Sequence, residues 1–156
     1  MGVAGSGKTT VGRLLATQLG WPYHEADDFH SAANKAKMAR GSPLDDTDRA
    51  PWLAAIRAAI DANVTRGQSA VFSCSALKES YRRVLTAGVP GLTLVFLSGD
   101  RALLQARLEA RPGHYMKAGM LDSQFAILEP PSDALVFDVR QAPEEIVAEI
   151  RRALGQ

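Results

Sequence analysis

A glycine-rich segment near the start of the chain constrains the fold more than any other feature of the sequence. Residues 2–9 read GVAGSGKT and match the pattern G-x-x-x-x-G-K-[S/T] at every defined position. Glycines in this pattern let the backbone curl so that successive N–H groups converge on a phosphate, and the helix that follows points its positive end at the same anion. A chance match in a chain of this length has a probability of about 1 in 200. The segment therefore predicts a phosphate-binding loop that opens a helix in an α/β fold.

Two side chains of the predicted loop have chemical tasks. Lys8 is predicted to reach the β- and γ-phosphates of ATP and to act in catalysis, and the hydroxyl of Thr9 is predicted to bind the Mg²⁺ that accompanies the nucleotide. The full set of residues predicted to bind ATP is Gly2, Val3, Ala4, Gly5, Ser6, Gly7, Lys8, Thr9 and Thr10.

The segment that precedes the predicted phosphate loop is unusually short. A phosphate loop normally follows a buried strand of about five residues, whose end aims the loop at the nucleotide. Here only Met1 precedes Gly2. We expect the true start to lie upstream, so that the first strand is missing from the sequence.

Apolar runs alternate with helical patterns along the rest of the chain. Strands are predicted at 22–25, 70–72, 92–97 and 135–137. Helices are predicted at 8–19, where the first begins inside the glycine-rich loop, and at 48–66, 78–87, 100–110, 121–128 and 143–154. For the second of these helices Asp48 is the predicted N-cap, with Pro51 in the first turn. This alternation predicts one P-loop NTPase domain over 1–156, a three-layer α/β/α fold with a parallel sheet. The glycine- and proline-containing stretch at 111–120 is predicted to form a small lid.

The charge and cysteine content of the chain exclude several classes of binding partner. Lys and Arg number 18 against 17 for Asp and Glu, a formal net charge of +1, so neither nucleic acid nor a membrane surface is an expected partner. The single cysteine, Cys74, excludes an internal disulfide, and no apolar stretch approaches the roughly 18 residues of a membrane span. A cytoplasmic protein is predicted.

Further patterns favour a small-molecule kinase over other nucleotide-binding proteins. The segment Asn34-Lys35-Ala36-Lys37 ends in lysine and lies too early to be the guanine-reading pattern N-K-x-D of a GTPase. The strand that contains Val71 and Phe72 ends in small residues, where a motor-type ATPase would have a carboxylate.

Several blocks of sequence, in order along nearly the whole chain, resemble the gluconate kinase family of small P-loop kinases, which is related to shikimate kinase. They read DDFH at 27–30, NKAKM at 34–38, GSPLDDTDRAPWL at 41–53, CSALK at 74–78 with Tyr81-Arg82, SQF at 123–125 and LEPP at 128–131. The resemblance implies the nucleoside-monophosphate-kinase-like fold, transfer of the ATP γ-phosphate to the 6-hydroxyl of D-gluconate, and a homodimer.

The acceptor site is predicted from these blocks and from the chemistry of a sugar acid. Asp27 is predicted to orient the attacking hydroxyl and accept its proton, and Glu25 to hold Mg²⁺ through water. The residues predicted to bind the substrate are Asp27, His30, Arg49, Lys78, Arg82 and Gln124. Arg49 or Arg82 suits the carboxylate better than a lysine does, because a planar guanidinium forms two parallel bonds with it.

Other interpretations remain open from the sequence. Arg111, preferred over Arg107, is predicted to reach the γ-phosphate from the lid, while His114 and Tyr115 contact substrate or only pack the lid.

A protein-bound metal at His24, Asp27, Asp28 and His30 is a lesser alternative. Asp28 is the expected cap of the helix that follows it. Alternative functions are another small-metabolite kinase of the shikimate type and a regulatory protein that binds ATP without turnover.

Overall fold

The computed structural model describes residues 1–110 and 119–156. The predicted lid at 111–120, with Arg111, His114 and Tyr115, therefore lies mostly outside the described residues. Over the described ranges, strands pair in parallel and helices pack against them, so the predicted α/β architecture is confirmed.

Within residues 1–110 and 119–156, four short strands form two parallel pairs. β1, Tyr23–Glu25, pairs with β2, Val71–Ser73, and Tyr23 lies opposite Val71. β3, Val95–Ser98, pairs with β4, Leu135–Asp138, and Val95 lies opposite Leu135. Since parallel strands share one carboxyl edge, Glu25 and Ser73 lie side by side at the edge where a ligand is expected.

Seven α-helices lie within the described residues. They are α1 Lys8–Leu19, α2 Ala32–Ala39, α3 Asp46–Thr65, α4 Glu79–Thr86, α5 Arg101–Glu109, α6 Met120–Ile127 and α7 Pro143–Ala153, and a 3₁₀ helix, Ala26–Phe29, follows β1. Six of the seven match predicted helices to within three residues at each end. The seventh, α2, was expected only as a helix after Asp28, without bounds, because its sequence has no continuous apolar stripe.

The predicted caps of two helices were wrong. Asp45, not Asp48, is the N-cap of α3: its carboxylate accepts from the Asp48 N–H at 2.8 Å, and Asp48 accepts from the Asp45 N–H at 3.0 Å. This reciprocal pair uses both acids, and it starts α3 early enough to put Pro51 beyond the first turn. Likewise Ser31, not Asp28, caps α2 by accepting from the N–H of Asn34 at 3.1 Å.

The start of the chain lies between the two strand pairs. The carbonyl of Met1 accepts from Leu97 N–H in β3 at 3.0 Å, and Gly2 N–H donates to the carbonyl of Ser75, just beyond β2, at 3.3 Å. A cavity of about 480 Å³ lies beside Met1, lined mostly by apolar residues of the surrounding elements. These bonds fix the phosphate loop at the carboxyl edge of both pairs. The expectation of an upstream strand stays a prediction.

Two apolar clusters hold the helices to the strands. One joins α1, α5, α6 and α7 to β3 and β4, with Leu104 and Val147 fully buried. The other joins α3 and α4 to the segment around β2, with Ile56 fully buried. Among the described helices, none is both long and apolar enough to cross a membrane.

Candidate active site

The phosphate loop leaves the amino end of α1 without a side-chain cap. Gly7 is the N-cap residue, with a left-handed φ of 88°, and it has no side chain with which to cap the helix. The first N–H groups of a helix have no partner within the helix, and they carry its positive end. The loop therefore presents backbone donors in an arrangement suited to a phosphate.

Two glycines of the loop allow a close approach that other residues would block. A Cβ at Gly2 would lie 2.7 Å from the carbonyl oxygen of Leu97, and one at Gly5 would lie 3.1 Å from that of Leu104. The loop is thus packed tightly against β3 and α5. Inside it, the ammonium of Lys8 donates to the carbonyl of Val3 at 3.0 Å, which holds the lysine across the loop.

A chain of hydrogen bonds ties the phosphate loop to the end of β1. Thr9 Oγ1 donates to Glu25 Oε2 at 2.8 Å, and the hydroxyl of Tyr23 donates to the same oxygen at 2.6 Å. Burial and the bond to Glu25 raise the pKa of Tyr23, so this phenol keeps its proton at neutral pH. Because the Thr9 proton points at Glu25, the lone pairs of its oxygen are directed elsewhere.

Asp27 lies in the 3₁₀ helix directly after Glu25, and its side chain is exposed. A buried hydrogen bond of 2.7 Å, from the indole N–H of Trp52 to the carbonyl of Ala26, anchors this turn to α3. Trp52 is 4% exposed and belongs to the apolar cluster of α3 and α4. The anchor fixes the backbone from which Asp27 projects.

His30 lies at the end of the same turn. Its ring stacks on Trp52, with centroids 4.6 Å apart and planes 7° from parallel, and the residue is 9% exposed. Burial lowers the pKa of His30, against the opposing effect of Asp27, so the imidazole is neutral at pH 7. Its Nδ1 is buried without a hydrogen-bond partner among the described residues. A buried polar atom without a partner is costly, and a ligand hydroxyl would satisfy it.

Four side chains from α3 and the start of α4 form a polar group that we call the acceptor cluster: Asp46, Arg49, Lys78 and Tyr81. Lys78 Nζ donates to both carboxylate oxygens of Asp46, at 2.8 and 2.9 Å, and Tyr81 donates to the first of them. Arg49 Nη1 donates to the hydroxyl of Tyr81 at 3.3 Å. The bonds from Lys78 and Tyr81 lower the pKa of Asp46, which is therefore ionised at neutral pH.

Two other predicted substrate-binding residues make different contacts. Arg82 is 6% exposed, and its Nη1 donates to the carbonyls of Ala76 and Leu77 at 3.1 and 3.0 Å. Ala76 has a left-handed φ of 44°, so these bonds support a strained turn after β2, and they favour a structural role for Arg82. Gln124 accepts from the N–H of Ala4 at 2.7 Å, which places it against the phosphate loop; its contact with substrate stays a prediction.

The flanks of the predicted lid are joined to the domain. Arg101 in α5 forms a salt bridge with Asp122 in α6, and Arg107 Nη2 donates to the carbonyl of Val139 at 2.7 Å. The bond from Arg107 to the backbone favours a structural role for this residue. Arg111 itself lies outside the described residues.

The sequence did not identify Asp46 or Tyr81 as site residues. Each lies in a block that marks the family resemblance, yet neither an acid near a helix start nor a lone tyrosine has a distinctive pattern. The predicted alternative of a protein-bound metal finds no support, since the described part of the chain contains no group of three or more His, Cys, Asp or Glu residues placed to hold one. His24 instead stacks on Phe72, with centroids 4.5 Å apart.

A phosphate loop at the carboxyl edge of parallel strands, joined to an acidic strand end, defines a P-loop kinase. The sequence model of the shikimate kinase family matches residues 4–154. A probable gluconokinase of Mus musculus is 42% identical over 99% of this chain and 95% of its own length, and a gluconokinase of Gluconobacter oxydans is 47% identical over 85% and 75%. The crystal structure of a gluconokinase from Sinorhizobium meliloti superposes with a TM-score of 0.86 and 42% identity, over 99% of this chain and 89% of that one. The chain belongs to the shikimate kinase family and, within it, to the gluconokinases, which confirms the predicted resemblance.

Proposed function

We propose that this protein transfers the γ-phosphate of ATP to the 6-hydroxyl of D-gluconate, with ADP and 6-phospho-D-gluconate as products. The observation that carries the proposal is the hydrogen bond of 2.8 Å between Thr9 in the phosphate loop and Glu25 at the end of β1. It joins the predicted nucleotide side to the acidic strand end, so that an acceptor held beyond Glu25 lies next to the transferred phosphate. The relatives named as gluconokinases support the choice of acceptor.

Asp27 is the proposed base. It follows Glu25 by two residues, on a turn anchored through Trp52, and its carboxylate is exposed toward the solvent that an acceptor would replace. In phosphoryl transfer the protein mainly positions the reactants and stabilises charge, and one carboxylate orients the attacking hydroxyl and takes its proton. The neutral His30, through Nδ1, is proposed to bind a second hydroxyl of the sugar acid.

Arg49 is the proposed partner of the gluconate carboxylate. Of the two arginines that the sequence left as candidates, Arg82 is already bound to backbone carbonyls, whereas Arg49 belongs to the acceptor cluster and donates from Nη1 to Tyr81. The remaining donors of a guanidinium match the two oxygens of a carboxylate. Lys78 adds positive charge beside it. On the other side of the phosphate, Lys8 and, from the lid, Arg111 are proposed to stabilise the charge that develops during transfer.

The residues at the start of α1 fit Mg²⁺. Thr9 has an oxygen whose proton is already donated to Glu25, and hydroxyl and carboxylate oxygens are the ligands that Mg²⁺ prefers. We propose that Thr9 contacts the ion directly and Glu25 contacts it through water. When bound with ATP, the ion neutralises charge on the phosphates.

Replacing Glu25 with glutamine tests this placement. In Glu25→Gln the carboxylate charge is lost while the size is kept, so we expect the Mg²⁺ concentration for half-maximal ATP turnover to rise about tenfold. The measurement is ADP release against Mg²⁺ at saturating ATP and D-gluconate. Glu144→Gln, which changes an exposed acid in the first turn of α7, is the control. An unchanged Mg²⁺ requirement in Glu25→Gln would contradict the placement.

The proposed activity is tested by ADP release with a panel of sugar acids and hydroxy acids, shikimate among them. We expect release that depends on D-gluconate. Turnover with shikimate but not with D-gluconate would favour the shikimate-like alternative. Tight ATP binding with no acceptor-dependent release would favour the regulatory alternative.

The cytoplasm is the proposed compartment and a homodimer the proposed assembly. The first is supported by the cysteine count, because the single cysteine, Cys74, has no partner in the chain for an internal disulfide. The second is supported by the family resemblance.

A further inference from the structure

The hydroxyl of Tyr81 lies between two charged residues of the acceptor cluster. Its proton is donated to the Asp46 carboxylate, and Arg49 Nη1 donates to its oxygen at 3.3 Å. A phenol has one proton, so an oxygen that donates to Asp46 turns its lone pairs toward other donors. The ionised Asp46 thus fixes the direction from which Tyr81 accepts a hydrogen bond, and that direction is occupied by Arg49.

The aromatic ring of Tyr81 makes a second contact with the guanidinium of Arg49. The central carbon of the Arg49 guanidinium lies 5.6 Å from the ring centroid, within the range of a cation–π contact. Tyr81 is 6% exposed and belongs to the apolar cluster of α3 and α4, so the ring has little freedom to turn. A guanidinium held at one nitrogen and over one ring keeps its other N–H groups in a fixed direction.

Direction matters because a carboxylate and a guanidinium bind well only when their planes align and two bonds form in parallel. A side chain as long as arginine otherwise samples many rotamers, and ordering it on binding weakens affinity. The ammonium of Lys78 is not planar and cannot form two parallel bonds with a carboxylate. It already donates to both oxygens of Asp46.

We propose that Tyr81, oriented by Asp46, is a positioning residue that aims Arg49 at the carboxylate of the acceptor and so sets the preference of the site for a sugar acid. This inference rests on the proposed function, because it takes Arg49 as the residue that binds the acid. Tyr81 does not touch the reacting atoms; it acts through Arg49 and affects binding of the acceptor.

Tyr81→Phe tests the inference, because phenylalanine keeps the ring and removes only the hydroxyl. We expect the KM for D-gluconate to rise about tenfold, while kcat and the KM for ATP stay within about twofold of their original values. Arg83→Gln, on the exposed face of the same helix, is the matched control and should change none of the three constants. Circular dichroism and the thermal unfolding midpoint verify that each variant is folded.

A double-mutant cycle with Arg49→Lys separates positioning from a general effect on the fold. If Tyr81 acts through Arg49, Tyr81→Phe should raise the KM for D-gluconate little further in the Arg49→Lys background. A full tenfold increase there, or an unchanged KM in the single variant Tyr81→Phe, would overturn the inference while gluconate turnover by the unmodified protein upheld the proposed function. An unmodified protein that turns over no sugar acid would overturn both.

Discussion

Asp27→Asn should reduce gluconate-dependent ADP release by about 10²- to 10⁴-fold, while ATP binding stays intact. Asparagine has nearly the same size and still orients a hydroxyl by accepting a hydrogen bond, but it has no affinity for the proton that must leave. The turn that presents residue 27 is held by the backbone of Ala26 through Trp52, so this substitution leaves its anchor in place. The loss should therefore appear in kcat and only weakly in the KM for either substrate.

The neighbouring acid supplies the control for this prediction. Asp28 is also exposed in the same 3₁₀ helix, and its backbone carbonyl, not its side chain, is what Lys35 binds. Asp28→Asn changes the charge of the turn by the same amount and should leave kcat within about threefold of the original. Undiminished transfer by Asp27→Asn, or equal losses in both variants, would contradict the role of Asp27 as the base.

The elements that the sequence predicted well are those in which local pattern and buried face agree. The phosphate loop is a contiguous motif, and β2, β3 and β4 are apolar runs between polar segments, so pattern alone located them. The helix α2 has no such stripe, so the sequence indicated a helix after Asp28 but not where that helix begins and ends. The cap of α3 was misplaced because Asp45 and Asp48 both satisfy the local rule, and only the geometry of the reciprocal bonds distinguishes N-cap from third helical residue.

The acceptor side shows why a site is harder to predict than a fold. Asp46 and Tyr81 are 35 residues apart, and their contact depends on the packing of α3 against α4. Arg49 and Arg82 have the same side chain, and no sequence pattern distinguishes a guanidinium that binds backbone carbonyls from one in the acceptor cluster. Burial and hydrogen-bond partners separate them at once.

Lys8→Met should reduce kcat by about 10²- to 10³-fold, because a fixed positive charge beside the transferred phosphate stabilises the transition state more than the bound substrate. Methionine keeps most of the length and the apolar stem. The ammonium of Lys8 also donates to the carbonyl of Val3, so this variant loses a bond that holds the loop, and ATP should bind more weakly as well. Calorimetry measures the loss of ATP affinity, and kcat at saturating ATP measures the loss of transition-state stabilisation separately.

Lys8→Arg and Lys35→Met complete the test of Lys8. Arginine keeps the charge but spreads it over a plane that does not fit the turn of the loop, so we expect Lys8→Arg to recover part of the ATP affinity and little of kcat. Lys35→Met removes a positive charge from the exposed helix α2 and should leave both constants within about twofold. If Lys8→Met lost only ATP affinity and kept its kcat at saturation, Lys8 would serve binding alone. Charge stabilisation during transfer would then have to come from other groups, because uniform binding of substrate and transition state does not raise kcat.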